Sequence, residues 1–291
     1  MTAPLALGAL DPGAPLPFGP DSLVRAAVAE PVTALLVQRV LVMDVAHPKV
    51  AAAVAHHSHF QQRPLRRAWV TVDAALRLVF GDEPTARGAA RQIYGVHDHI
   101  SGRDARDEGY SAHDASLLRW VWATLVDTTE TAFTRWVRPF DEGEGAAFYG
   151  EMRLFARFLG IPDDLLPADR EAFSRYLEDT LSGHELATTE DCRAMARQVL
   201  WFDHRVVPTP LVRVERVLAL ATLDPRLVDL LDVHPDVADE ELGRTLDAWL
   251  CRYYRRFPRP PRIGPALYVL MRRPTIGLAG RARDVLGRVG P

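Results

Sequence analysis

Ala89-Ala90-Arg91-Gln92-Ile93-Tyr94-Gly95-Val96-His97-Asp98-His99-Ile100 decides the fold class, because its apolar residues recur every three and four positions rather than every two. Ala89, Ile93, Val96, His97 and Ile100 fall on one stripe, which predicts an amphipathic helix with an imidazole on its buried face. His99 is turned toward the polar side. Upstream, Arg67, Thr71, Ala74, Ala75 and Leu78 make a second stripe of the same spacing and set a guanidinium on an apolar face. A buried arginine needs an anion. Taken singly, His97 reads as a hydrogen-bonded core residue and Arg67 as half of an internal ion pair. Together they offer what a bound anionic metallo-cofactor such as haem b requires, one nitrogen for iron and a positive charge for propionates.

Almost every segment after Pro20 repeats this spacing, and no Asn-Gly or Asp-Gly turn separates strand-like runs, so the predicted fold is all-α, with about ten helices. Helix starts are marked at Asp21-Ser22, at residues 111–114, at Pro162-Asp163-Asp164, at residues 167–171 and at Thr188-Thr189. Stops fall at His47-Pro48, Gly81-Asp82, Gly102 and Gly160. The charged stretch 103–109 reads as a solvated loop. Pro and Gly punctuate helices without forming a linker. The expected organisation is therefore a flexible arm over residues 1–20, one helical domain over 21–274, and a C-terminal tail over 275–291.

A chain of 291 residues that is 48% hydrophobic and 25% charged can bury a sizeable core, which excludes disorder. Its net charge of -3 carries no basic block, which argues against nucleic acid as a partner; the arginine-rich run 252–262 reads as a surface or lid feature. Lys49 is the only lysine and alanine is abundant, a usage associated with GC-rich bacterial genomes. Cys192 and Cys251 have no metal-type spacing and read as reduced thiols, which points to a cytoplasmic protein. No signal-type leader is read at the start. No apolar run reaches the roughly 20 residues of a membrane span.

Several catalytic templates are missing: a Gly-rich phosphate loop, His-Glu-x-x-His, paired Glu-x-x-His and Gly-x-Ser-x-Gly. His56-His57-Ser58-His59 reads as a solvent-exposed segment, since adjacent histidines diverge on a helix. His97-Asp98-His99 with His113-Asp114 downstream is similar to the His-Asp pairs of metal phosphohydrolases, but helical phase sends His97 and His99 to opposite sides.

One resemblance covers most of the chain. It is carried by residues 39–54, His57-Ser58-His59-Phe60, Pro64-Leu65-Arg66-Arg67 with Thr71, Val79-Phe80-Gly81, His97-x-x-Ile100-x-Gly102, Tyr110-x-Ala112 and Leu118-x-Trp120-Val121-x-Ala123-Thr124-Leu125. In order and spacing these runs resemble the rubber oxygenase catalytic-domain family of latex-clearing proteins and MpaB-like oxygenases. The resemblance implies an all-helical, globin-like core holding haem b, with His97 as iron ligand and Arg67 and Thr71 beside the cofactor in binding and catalytic roles. Many MpaB-like members have histidine where this chain has Trp122, whose stripe with Leu118, Val121 and Leu125 still faces inward and makes it a cofactor-lining space-filler. Val70 stands where latex-clearing proteins can carry a distal lysine. The expected function is a haem-dependent oxygenase or oxidase taking O₂ and a hydrophobic or aromatic small molecule. The alternative is a helical haem- or small-molecule-binding protein without catalysis.

Overall fold

The structure, a computed structural model, describes residues 16–57, 64–186, 189–202 and 208–257, with residues 64–71 and Glu142 described by backbone alone. Among these, thirteen α-helices and one short hairpin follow in order. They are α1 (Leu23–Ala29), α2 (Pro31–Ala34), α3 (Val37–Val45), α4 (Pro48–His57), α5 (Pro64–Phe80), α6 (Glu83–His97), β1 (Ser101–Arg103), β2 (Gly109–Ser111), α7 (Ala115–Ala132), α8 (Glu142–Phe158), α9 (Arg170–Ser182), α10 (Glu190–Leu200), α11 (Thr209–Thr222), α12 (Pro225–Leu231) and α13 (Val237–Arg256). The fold is all-α apart from that hairpin.

Helix α7 is the centre, because Leu117, Trp120, Trp122, Ala123, Val126 and Ala132 bury every side of it, and a helix apolar all round belongs inside. Trp120 and Trp122 lie about 200° apart at about 100° per residue, so their indoles leave α7 in opposite directions. Each anchors its own cluster. Trp122 packs with residues of α1, α5, α6, α8 and α9, whereas Trp120 packs with residues of α3, α4, α10, α11 and α12. A third cluster around Trp136, in the π-helical turn that continues α7, joins α2, α11 and α13.

The predicted caps form as their chemistry dictates. Ser22, Asp114, Asp169 and Thr189 accept backbone N–H groups of the first turns of α1, α7, α9 and α10. Gly160 ends its segment at φ 91°, in the left-handed region that glycine tolerates. Pro162-Asp163-Asp164, by contrast, opens only a single 3₁₀ turn, Asp163–Leu165. Of the predicted arm, Phe18 is buried with its ring 5.4 Å from that of Phe155, so residues 16–18 belong to the core. Residues 1–15 and 258–291 lie outside the described residues.

The solvated loop expected at 103–109 is exposed at every residue but Asp104, and it closes a pair that was not expected, the antiparallel β1–β2, in register Ser101 to Ser111. Asp104 organises the turn. Its buried carboxylate accepts the N–H of Arg106 at 3.0 Å and of Glu108 at 2.9 Å, while Asp107 takes the left-handed conformation at φ 61°. Burial alone would raise the Asp104 pKa, but these N–H groups and the Arg106 guanidinium outweigh it and hold the carboxyl below its usual range. Lys49 of α4 ties the hairpin down by meeting Glu108 at 3.0 Å.

Two partly buried titrating groups oppose each other. At the α3–α4 break the His47 pKa is lowered to about 4, chiefly by burial and then by Lys49 and Arg106, while burial raises Glu215 of α11 to about 7. Neutral His47 favours the fold above pH 6.5, and that contribution is lost as pH falls toward 4. Protonated Glu215 favours it below pH 4.5, and its contribution is lost as pH rises toward 7. At about 1.4 kcal/mol per unit, each effect is worth about 3–4 kcal/mol. Urea unfolding should therefore show nearly level stability across this window. Glu215→Gln should lose stability toward acid, and His47→Gln toward neutrality; three superimposable pH curves would contradict the assignment.

Candidate functional site

The α5–α6 hairpin sets the geometry. Gly81 makes its turn, since a Cβ there would lie 2.3 Å from the Arg77 carbonyl oxygen, and Asp82 caps α6 by accepting the Thr85 N–H. So short a connection leaves the helices antiparallel. The two helices are joined across their faces by the Arg77 guanidinium, which donates to Gln92 Oε1 at 2.7 Å. His97, at the end of α6, therefore lies alongside the N-terminal half of α5, the half that bears Arg67 and Thr71. The side chains of Arg67 and Thr71 lie outside the described residues.

His97 is the last residue of α6 and is half-buried, continuing a stripe on which Ala86 and Ala90 are buried and Ile93 packs on the core. Val96 does not share that stripe. It is 56% exposed, because it sits about 100° round the helix from His97. His99 is exposed, and Ile100 packs on Ala52, Tyr110 and Leu117.

Around His97 the chain gathers residues that periodicity does not bring together. His113, just before α7, presents its ring to that of His97 edge-on, with centroids 6.1 Å apart and planes at 75°. Its Nε2 lies 2.8 Å from Asp98 Oδ1, and Tyr94 packs on it at 4.2 Å between centroids. His56 and His57, in the exposed last turn of α4, are tied to the hairpin: His56 Nδ1 lies 3.2 Å from the Tyr110 hydroxyl, and His57 Nε2 lies 2.9 Å from the Ser101 carbonyl oxygen. Ser58 and His59 lie outside the described residues. Among those described, no three His, Cys, Asp or Glu side chains gather closely enough to hold a metal ion.

Trp122 is fully buried, and its indole N–H donates to the Met152 carbonyl at 2.8 Å while Phe173 and Tyr149 pack on its ring. It shares the first core cluster with Ala89 and Ala90 of α6. Trp122→Phe removes that hydrogen bond and part of the ring volume, so thermal unfolding should show a loss of about 2 kcal/mol with the fold retained. An unchanged melting temperature would mean that the bond contributes nothing.

A cavity of about 200 Å³ lies elsewhere, between Arg39, Met43, Asp127, Leu181, Thr222 and Asp224. It is smaller than the roughly 300 Å³ of ordinary ligand sites. Neither His97 nor Trp122 lines it. Its polar floor is committed, since Arg39 donates to Asp127, Thr128 and the Thr222 carbonyl.

The sequence family described as ER-bound oxygenase mpaB/B'/Rubber oxygenase, catalytic domain, matches residues 25–256, from within α1 to the last residue of α13. The chain belongs to this family. As an mpaB/rubber oxygenase domain it is an oxygenase-family catalytic domain, and the match takes in α5, α6 and all the residues grouped around His97. No curated protein and no solved structure matches the chain. Among its described residues no single helix is long and apolar enough to cross a membrane.

Proposed function

We propose that this mpaB/rubber oxygenase domain is a haem b-dependent oxygenase or oxidase acting with O₂ on a hydrophobic or aromatic small molecule. The observation that carries the reading is the α5–α6 hairpin, which sets the half-buried His97 at the end of α6 alongside the N-terminal half of α5, where the sequence has Arg67 and Thr71.

The donor chemistry fits haem. A bare ion needs several protein ligands, whereas haem iron asks the protein for one axial nitrogen, and His97 offers a single imidazole at the end of an apolar stripe. His97 would hold the iron through a ring nitrogen. Arg67 would meet a propionate with its fixed charge, and Thr71, one turn on, would order the pocket. Trp122, packed behind Ala89 and Ala90, would wall the core against water; its N–H, committed to Met152, is not offered to the reaction. When bound, haem supplies the iron that activates O₂. The globin-like arrangement implied for the core belongs to this same reading.

The test is spectroscopic and then chemical. Purified protein supplied with haemin should take up one equivalent and show a Soret band, then consume O₂ with an isoprenoid alkene or an aromatic substrate. No Soret band at saturating haemin would overturn the cofactor assignment, and a haem-loaded protein inert toward both substrate classes would overturn catalysis.

A further inference from the structure

We propose that His113, held by Asp98, is a positioning residue for the His97 ring and supplies the acceptor for its N–H. This rests on His97 being the iron ligand, but its observations are separate. An ionised Asp98 carboxylate can only accept, so the 2.8 Å contact puts the ring proton of His113 on Nε2. In the neutral ring Nδ1 is then a bare lone pair. That Nδ1 is buried and has no hydrogen-bond partner among the described residues. A buried acceptor left unmatched costs about 1–3 kcal/mol, so its presence beside a second imidazole calls for an explanation.

The neighbours supply one. Tyr94, one turn before His97 on α6, packs on the His113 ring, while Asp98, the next residue after His97, fixes its Nε2. Both restraints therefore come from the chain segment that carries His97, and they hold His113 edge-on to it at 6.1 Å. A histidine that gives one nitrogen to a metal carries its proton on the other, and an acceptor for that N–H fixes the ring orientation and raises its basicity. When His97 holds a metal and turns its N–H to the bare His113 Nδ1, which it does not meet in this structure, the carboxylate would strengthen His113 as acceptor and His113 would strengthen His97 as ligand.

The inference is tested on haem-loaded protein by the iron–histidine stretching band of the ferrous form in resonance Raman spectra, together with haem dissociation. His113→Phe keeps a ring against Tyr94 but cannot accept. It should bind haem about 10-fold more weakly and lower the stretching frequency, and His113→Asn, which offers a carbonyl acceptor, should recover part of both. Asp98 is 52% exposed in its side chain, so Asp98→Asn folds even where His113→Phe does not, and it should shift the band in the same direction. A wild-type protein that binds haem while both His113→Phe and Asp98→Asn keep its frequency and affinity overturns the positioning role alone. A wild-type protein that takes up no haem overturns the ligand assignment and this inference with it.

Discussion

His97→Ala yields a folded protein that fails to retain haem. His97 closes α6, where alanine is a good helix former, and its ring is only half-buried, so its loss leaves the Ala86, Ala90 and Ile93 stripe packed as before. Circular dichroism should be that of the wild type. An axial ligand is a direct bond, and its removal should exceed the 10–100-fold typical of outer partners, leaving haem retention down by more than about 100-fold. Imidazole added to the buffer should restore part of the Soret intensity by filling the space that the side chain leaves. A variant with wild-type haem stoichiometry and an unmoved Soret maximum would assign the iron to another residue.

The second large effect lies across α7, away from His97. Arg39 is 5% exposed and donates from Nη2 to Asp127 at 2.6 Å, from Nη1 to Thr128 at 2.6 Å and from Nε to the Thr222 carbonyl at 3.2 Å. Arg39→Leu keeps the bulk and strands all three acceptors. Breaking a buried pair from one side costs about 3–5 kcal/mol, a large share of the 5–15 kcal/mol that holds a domain together. The melting temperature should fall by about 10 °C. Adding Asp127→Asn to Arg39→Leu should recover part of the loss, because the stranded charge is then removed. Equal stabilities of single and double variants would show that Asp127 is solvated well enough to stand alone.

Neighbouring residues made much of this molecule legible. Ser22, Asp114, Asp169 and Thr189 cap because a short polar side chain reaches the N–H two or three residues on, and no distant contact is needed. His97 falls on its buried stripe for the same reason, while Val96 shows how little such a stripe says about its edges. The β1–β2 hairpin escaped notice because three-residue strands have no period to read, and because Asp104 works through backbone N–H groups rather than through pattern. The Arg39 network was invisible for a different reason: its partners lie 88, 89 and 183 residues away. His113 belongs to the same class, since only the packed chain brings it to Asp98. The order of the motifs carried the family, which one helix could not have done.

Lys49 is the chain's only lysine, and its ammonium is engaged with Glu108 where the hairpin lies on α4. An amine-acylating reagent therefore has one side chain to modify, which is 23% exposed and held in an ion pair while the hairpin is docked. The rate at which that one side chain is acylated, followed by mass spectrometry, therefore reads how often the ammonium leaves Glu108.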